Sequence, residues 1–340
     1  MAKRTVVMCL GPDAGGGFEV HEMERRQPAS DEIEVEVAAA SVNPIDVRRA
    51  EGYGRRLLSL MGAARFPMTL GNDFSGTVVT LGARAPGFSL GDRVYGLKRV
   101  SRDGSHSSHV VAKATHARKA PPDADLQALA ALSYSFVTMW LALTSAGITR
   151  DSAAGKRALV QGAAGGLGRL ALQTLSAWGA RVSAVAKASD LQACLEAGAE
   201  QAFDRAGNPF AALARTFDAT FNFATWDDER ALLGCLREGA MGHATTVHPL
   251  IQNLDEQGWI GGAYRNIIDK TKMSASLPNG TRRYVWVLFR PETEALSEMG
   301  RLVEERRLSL PIGIRAPLQM AADAFKHTRR RLPGRALIVP

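Results

Sequence analysis

RALVQGAAGGLGRLALQ, residues 157–173, decides the fold. The apolar run Ala158-Leu159-Val160 enters a cluster of small residues, Gly162 to Gly168, and leaves it as an amphipathic helix. A second apolar run, RVSAVA at 181–186, follows at once, so the stretch reads as one βαβ unit. Ala163, Gly165 and Gly168 fall at the spacing G-x-G-x-x-G, with alanine in first place. Small residues are needed there for physical reasons. At Gly165 the backbone can approach a pyrophosphate, and at Gly168 the helix can pack close to the strand. The pyrophosphate then rests on N–H groups at the helix N-terminus. Ala163, Ala164, Gly165, Gly166, Leu167 and Gly168 are the expected phosphate cradle. A glycine motif alone is weak; its setting between strand and helix is what gives it weight.

Outward from this unit, strands and helical stretches alternate through "SDLQACLEAG", "AEQAFD", "DATFNFA", "DDERALLGCLREG" and "AMGHATTVH", as in a parallel sheet. DATFNF reads as a strand buried on both faces. The first 120 residues differ. EIEVEVAAASVN alternates with period two, and further short β runs are punctuated by Gly and Pro. The change of texture comes at KAPPDADLQALAAL, where Asp123 or Asp125 can cap a helix. The last 60 residues return to short strands around one helix. RRYVWVLF reads as an edge strand of the parallel sheet. An edge this apolar needs covering, so pairing with its twin in a homodimer is expected.

The chain has 340 residues, enough for two domains, with 46% apolar and 22% charged residues. Its net charge of +8 favours anionic partners. The basic residues are scattered in pairs without aromatic interleaving, so nucleic acid is not an expected partner. Three separated cysteines argue against a disulfide framework. The start, MAKRTVVMCLGP, reads as a first strand and no apolar run is seen that reaches the ~20 residues of a membrane helix. A cytoplasmic protein without a membrane partner is the expectation. No tyrosine has lysine four residues on, which removes the Tyr-x-x-x-Lys route of short-chain dehydrogenases. No Cys/His cluster suits zinc, and His106 and His109 lack a nearby third ligand, so no metal site is expected.

An NAD site usually places an acid at the end of the second strand, to hold the ribose hydroxyls. Here that end carries Lys187, and the third strand ends at Arg205. Two cations at adjacent strand ends suit a 2′-phosphate, so the expected cofactor is NADPH.

These features together resemble the zinc-free medium-chain dehydrogenase/reductases, the quinone oxidoreductase and enoyl reductase relatives of alcohol dehydrogenase. SVNPIDVRRAEGYG, FPMTLGNDFSGTVV, ALSYSFVTMWLAL, AWGARVSAV and the segment around RRYVWVLF are similar in particular to the reticulon-4-interacting protein branch. The resemblance covers nearly the whole chain. It implies a GroES-like β-rich catalytic domain over 1–124 and 291–340, and a Rossmann NADPH-binding domain, a doubly wound parallel sheet, over 125–290. It places Asn43 and Thr138 near the nicotinamide and Asn222, Phe223 and Ala224 beside the cofactor. Where zinc-dependent relatives carry a cysteine and a His-Glu pair, this chain has Asp46-Val47 and Asn72-Asp73. Tyr53 fits the proton-donating tyrosine of enoyl reductases with a one-residue shift. Arg48 stands where simple quinone reductases tend to have an aromatic residue.

The expected reaction is hydride transfer from NADPH to a quinone or an α,β-unsaturated carbonyl. Backbone N–H groups, Asn43 or the Tyr53 hydroxyl would stabilise the developing oxyanion, and an enone would take its proton from Tyr53 or a water it positions. Arg48, Arg49, Arg55 and Arg56 surround Tyr53 and suggest an anionic electrophile such as an acyl thioester. The alternative is a catalytically silent NADPH sensor or interaction protein on the same fold.

Overall fold

The computed structural model describes residues 2–12 and 17–340. The chain divides into two compact units, one of Met1–Ser135, Leu254–Trp259 and Arg290–Pro340, the other of Phe136–Asn253 and Ile260–Phe289.

The first unit is built around the strand Glu32–Val42. Ile33, Val35 and Val37 point into a core with Phe74, Val78, Val94 and Val110, as the period-two pattern requires. The alternation fades after Val37 and the strand's second half is almost wholly buried. The cause is its central place: it pairs with Asp73–Leu81, with His109–Lys113 and with Arg335–Val339. Register shifts between Glu34 and Val35 and between Val37 and Ala39 mark irregularities that let one long strand serve several partners. The outward Glu34 is buried too, and Arg25 satisfies it through two bonds of 2.7 and 2.8 Å. Immediately after this strand, Pro44 starts the short helix Pro44–Ala50 at a position where its missing N–H costs nothing. Asp46, in its first turn, takes the backbone N–H of Asn43 at 2.8 Å.

The second unit holds a six-stranded, wholly parallel sheet. Its spatial order is Gln201–Asp204, Arg181–Ala186, Arg157–Gln161, Ala219–Asn222, Gly242–His243-Ala244-Thr245 and Tyr284–Trp286. In chain order that is 3-2-1-4-5-6, the doubly wound arrangement that binds dinucleotides at its central crevice. Ala219–Asn222 is buried at all four positions, as its apolar composition requires. Among the described residues Tyr284–Trp286 pairs only with the fifth strand and forms the sheet edge, as the reading of RRYVWVLF anticipates.

The sequence announces the start of one helix at Asp123 or Asp125 and gives no sign of two others, Leu250–Ser274 and Ala321–Arg329. Leu126–Ser145 is a 20-residue helix long and apolar enough to cross a bilayer by length and composition, which corrects the statement that no apolar run reaches that length; 78% of its most apolar window is buried. Leu250–Ser274 is broken at Gly258, whose φ of 77° is left-handed and open chiefly to glycine. Beyond the break Ile260, Tyr264 and Ile267 face outward, while the polar Asn266 turns inward to Asn253. This helix carries its apolar face on the outside, the reverse of a surface helix that packs on its own core.

Candidate active site

In the second unit the strand Arg157–Gln161 delivers the chain into a tight turn. Gly162 has φ +75°, and its N–H and that of Ala163 both reach the carbonyl of Val185 on the neighbouring strand, at 3.1 and 3.3 Å. Gly165 then caps the helix Gly166–Ala177 from an extended conformation without a capping side chain. The first N–H groups of an α-helix have no intrahelical partner, so Gly166, Leu167 and Gly168 leave a donor set at its mouth. The glycines differ in role. A Cβ at Gly168 would sit 2.1 Å from the Gly162 carbonyl oxygen and 2.5 Å from the Ala163 Cα. A Cβ at Gly165 would meet only the Gly162 oxygen, at 3.3 Å, and Gly165 itself is exposed. Gly168 therefore serves close packing, and Gly165 leaves an open face above the donors. These residues fit a pyrophosphate.

The loop after the fourth strand closes one side of this cradle. A Cβ at Gly162 would meet Phe223 C at 3.0 Å and Ala224 N at 3.1 Å. Asn222 shapes that loop from below. Its amide donates to Thr225 O at 2.8 Å and to the buried Glu229 carboxylate at 2.7 Å, and its oxygen takes Ala224 N–H at 3.2 Å. Asn222 is thus a builder of this loop, with its side chain engaged inside it. Lys187 is exposed at the end of the second strand. Arg205, at the end of the third, is held by Asp228 at 2.6 Å, and Asp228 also accepts from Gln161. Thr138 is buried in the helix Leu126–Ser145.

In the first unit Asn43 sits at the centre of a buried network. Its Nδ2 donates to Asp73 Oδ2 at 2.9 Å and to Ser41 Oγ at 3.0 Å, and its Oδ1 accepts from Arg335. Asp73 also takes the Ser41 backbone N–H at 2.7 Å and the Ser41 hydroxyl. Both amide hydrogens of Asn43 are committed inside the unit. Burial pushes the Asp73 carboxyl up, against the hydrogen bonds from Ser41 and Asn43. Asp46 holds Gly71 N–H at 3.1 Å as well as Asn43 N–H. His106 is buried with Nε2 3.0 Å from Ser41 O, and His109 pairs with Ser108 at 3.0 Å, so the two histidines serve separate bonds. Among the described residues no group of three or more His, Cys, Asp or Glu is placed to hold a metal ion.

Tyr53 follows the helix Pro44–Ala50 and is half-buried. The Arg48 guanidinium carbon lies 3.5 Å from its ring centroid, a cation–π stack. Burial raises the phenol's pKa, and the Arg48 charge only partly offsets it. The four arginines around Tyr53 have unlike fates. Arg48 stacks on the ring, and Arg49 is buried and donates to the Ala63 and Ser101 carbonyls at 2.9 and 2.7 Å. Arg56 is tied to Asp255 through its backbone N–H at 3.0 Å, and Arg55 is exposed. Of this cluster Arg49 and Arg56 are engaged in hydrogen bonds and Arg48 in a ring stack. Asp255, Asp228, Glu229 and Arg335 are the residues sequence reasoning missed; Asp255 and Arg335 lie about two hundred residues or more from their partners, and Asp228 and Glu229 meet theirs only through the fold, with no local pattern to announce any of the four.

The geometry agrees with the chain's similarities. The alcohol dehydrogenase GroES-like domain matches residues 29–122. The chain is 30% identical over 313 residues to the NAD(P)H oxidoreductase RTN4IP1, mitochondrial, of Mus musculus, covering 88% of this chain and 79% of that protein. It is 27% identical to the chloroplastic quinone-oxidoreductase homolog of Spinacia oleracea, over 92% and 91% of the two chains. The quinone oxidoreductase of Coxiella burnetii superposes with a TM-score of 0.80 at 23% identity, over the whole of both chains. CurK enoyl reductase superposes at 0.77 and 20% identity, over 98% of this chain and 99% of that one. At such identities the two structures speak for the fold alone. The names of the RTN4IP1 relatives from Caenorhabditis elegans to Homo sapiens carry the word mitochondrial, which overturns the expectation of a cytoplasmic protein. That expectation rested on separated cysteines, a start that reads as a first strand and the lack of a membrane-length apolar run, and none of these decides a compartment. With its GroES-like domain, its doubly wound sheet and a relative of this identity along most of its length, the chain belongs to the quinone-oxidoreductase-like medium-chain dehydrogenase/reductase family, together with the RTN4IP1 NAD(P)H oxidoreductases.

Proposed function

We propose that the protein is an NADPH-dependent reductase that works without zinc and reduces a quinone or an α,β-unsaturated carbonyl. The observation that carries this reading is the open face at Gly165 above the unpaired N–H groups of the helix Gly166–Ala177. Bound NADPH supplies the hydride. The chain's own residues do the rest. The helix N-terminus holds the pyrophosphate, and Phe223 and Ala224 flank it. Lys187, exposed at a strand end that carries no acid, favours a 2′-phosphate over a free ribose hydroxyl. Arg205 contributes beside it when its contact with Asp228 opens.

Tyr53 holds a proton at its hydroxyl. Burial keeps the phenol protonated at neutral pH, so it serves as donor to the α-carbon of a reduced enone. Asn43 acts by holding its surroundings, because its two N–H donors already serve Asp73 and Ser41. Asp46 and Asp73, at positions where zinc-dependent relatives carry ligands, are engaged with backbone N–H groups and with Ser41 and Asn43. This supports chemistry without a metal at that place.

The test is oxidation of NADPH and of NADH, followed by loss of the reduced nicotinamide absorbance, against a 1,4-benzoquinone, an ortho-quinone, a simple enone and a crotonyl thioester. Turnover of any of them with NADPH supports the reading, and the best acceptor separates the two chemistries. Binding of NADPH with no acceptor reduced would favour a cofactor-sensing protein. Lys187→Ala is expected to raise the KM for NADPH about tenfold, the worth of one hydrogen bond to a charged group, and to leave that for NADH unchanged. Equal effects on both cofactors would remove Lys187 from the 2′-phosphate site.

The chain is also proposed to form a homodimer. The second unit leaves the Tyr284–Trp286 edge unpaired on one side, and it exposes Ile260, Tyr264 and Ile267 on one helix. A second copy would cover apolar surface of this kind. Sedimentation at micromolar concentration is expected to give twice the chain mass, and a monomer there refutes it.

A further inference from the structure

We infer that Asp255 is a positioning residue for Tyr53: its carboxylate fixes the loop that carries the phenol. The inference rests on the reading of Tyr53 as proton donor. Upstream, the Tyr53 N–H is held by Arg48 O at 2.9 Å, and the Arg48 guanidinium lies on the ring. Downstream, the backbone turns through Gly54 at φ +80° and enters the helix Arg55–Ser59. Five residues cannot sustain a helix by propagation alone, so something outside it must hold the turn. Asp255 does so with both oxygens. Oδ2 accepts Gly54 N–H at 2.6 Å and Oδ1 accepts Arg56 N–H at 3.0 Å, while Arg56 Nε donates to the Asp255 carbonyl at 3.4 Å.

The two carboxylate contacts are charge-assisted and hold Gly54, the residue after Tyr53, and Arg56, two residues further on, so they fix the backbone from which the Tyr53 side chain emerges. Asp255 is about two hundred residues away in sequence, on a segment, Leu254–Trp259, that groups with the first unit. A carboxylate aimed at two backbone N–H groups of one turn is a specific arrangement. The Arg56 guanidinium meets the Asp255 backbone carbonyl, at 3.4 Å, while the carboxylate serves the backbone N–H groups. The same negative charge opposes ionisation of Tyr53, adding to burial and working against Arg48. Position and protonation of the phenol therefore depend on one side chain that need not touch the acceptor.

The experiment is a double-mutant cycle in the full chain with NADPH and a simple enone. Tyr53→Phe, Asp255→Asn and the pair are compared for kcat, for the KM of NADPH and for the pH profile. Asparagine keeps one acceptor oxygen and loses the second acceptor and the charge. Asp255→Asn is expected to lower kcat about tenfold, because small misplacement of a reacting group is costly, with the KM for NADPH unchanged. It is also expected to move the alkaline limb of the profile to lower pH, since the phenol then ionises earlier. In the Tyr53→Phe background it should cost nothing further.

An Asp255→Asn enzyme with wild-type kcat and an unmoved alkaline limb overturns the inference. So does a full additional loss on top of Tyr53→Phe, which would mean that Asp255 acts elsewhere. Tyr53→Phe with undiminished enone reduction overturns the prior reading of Tyr53 instead, whatever Asp255 does. Where Asp255→Asn does not fold, Asp255→Ser, which keeps one short acceptor, is read by the same outcomes.

Discussion

Gly168→Ala is expected to lose NADPH binding by about a hundredfold or more, which is ~2.7 kcal/mol. The methyl group has no room. Its nearest neighbours would be the Gly162 carbonyl oxygen at 2.1 Å, the Ala163 Cα at 2.5 Å and the Gly162 carbonyl carbon at 2.7 Å, all backbone atoms. Backbone cannot step aside as a flexible side chain does. The turn must open or the helix must lift away from the strand, and overpacking of this kind costs about 1–3 kcal/mol, sometimes more. Either movement shifts the helix N-terminus off the phosphate position. Gly165→Ala is the control. Its methyl meets one oxygen at 3.3 Å and its φ of −72° suits any residue, so the melting temperature should hold. NADPH affinity should still fall, because the methyl stands on the open face. Fluorescence titration of the reduced nicotinamide with a thermal melt of each variant checks both. Wild-type NADPH affinity in Gly168→Ala would end the phosphate-cradle reading.

The same two glycines show what a sequence can disclose. Their roles are local: strand, turn and helix lie within one stretch of chain, and the steric reasons act between near neighbours. The parallel pairing around them follows from the alternation of apolar runs and helices, and the apolar edge strand follows from its own composition. Long-range pairing has no such signature. Nothing near Asp255 announces that its carboxylate meets Gly54, and nothing near Tyr53 asks for it. RRAEGYGRR reads as a positive patch because sequence shows charge without partners; the fold turns Arg49 to carbonyls and Arg48 to a ring. The resemblance places Asn43 near the nicotinamide, and the fold bonds both its donors within its own unit. The helix Leu250–Ser274 was illegible for another reason. Its apolar residues face outward and a left-handed glycine interrupts it, so the periodicity that normally reports a buried face has nothing to report.

Glu229→Ala is expected to destabilise the second unit by about 3–5 kcal/mol, the usual consequence of removing one partner of a buried charged group. Glu229 is fully buried. Its carboxylate accepts from Asn222 Nδ2 at 2.7 Å and from the Tyr284 hydroxyl at 2.9 Å, and His243 Nε2 lies 3.1 Å from it. Tyr284 in turn accepts from Trp286 Nε1 at 2.9 Å, and His243 Nδ1 lies 2.7 Å from the Thr220 hydroxyl. One carboxylate thus joins the fourth, fifth and sixth strands, and alanine would leave the buried Asn222 and His243 and the half-buried Tyr284 without it. Burial alone would push this carboxyl up. The neighbouring His243 and the bonds from Asn222 and Tyr284 outweigh it, so the folded carboxyl titrates below its ordinary value of 4.5. A group depressed in the folded state contributes stability above its unfolded pKa. That contribution is complete above about pH 4.5 and is lost as pH falls below it through the folded value. Glu229→Gln, which keeps the shape without the ionisable group, should therefore show a shallower acid loss of stability than the wild type. Urea unfolding at neutral pH and at stepwise lower pH reads both effects. The consequence reaches the cofactor site through Asn222, whose oxygen holds the N–H of Ala224 beside Gly162. NADPH affinity should fall in Glu229→Ala even under conditions where the protein remains folded. Wild-type stability in that variant would mean that the carboxylate is replaceable by solvent, and the buried network would then have no hold on the loop.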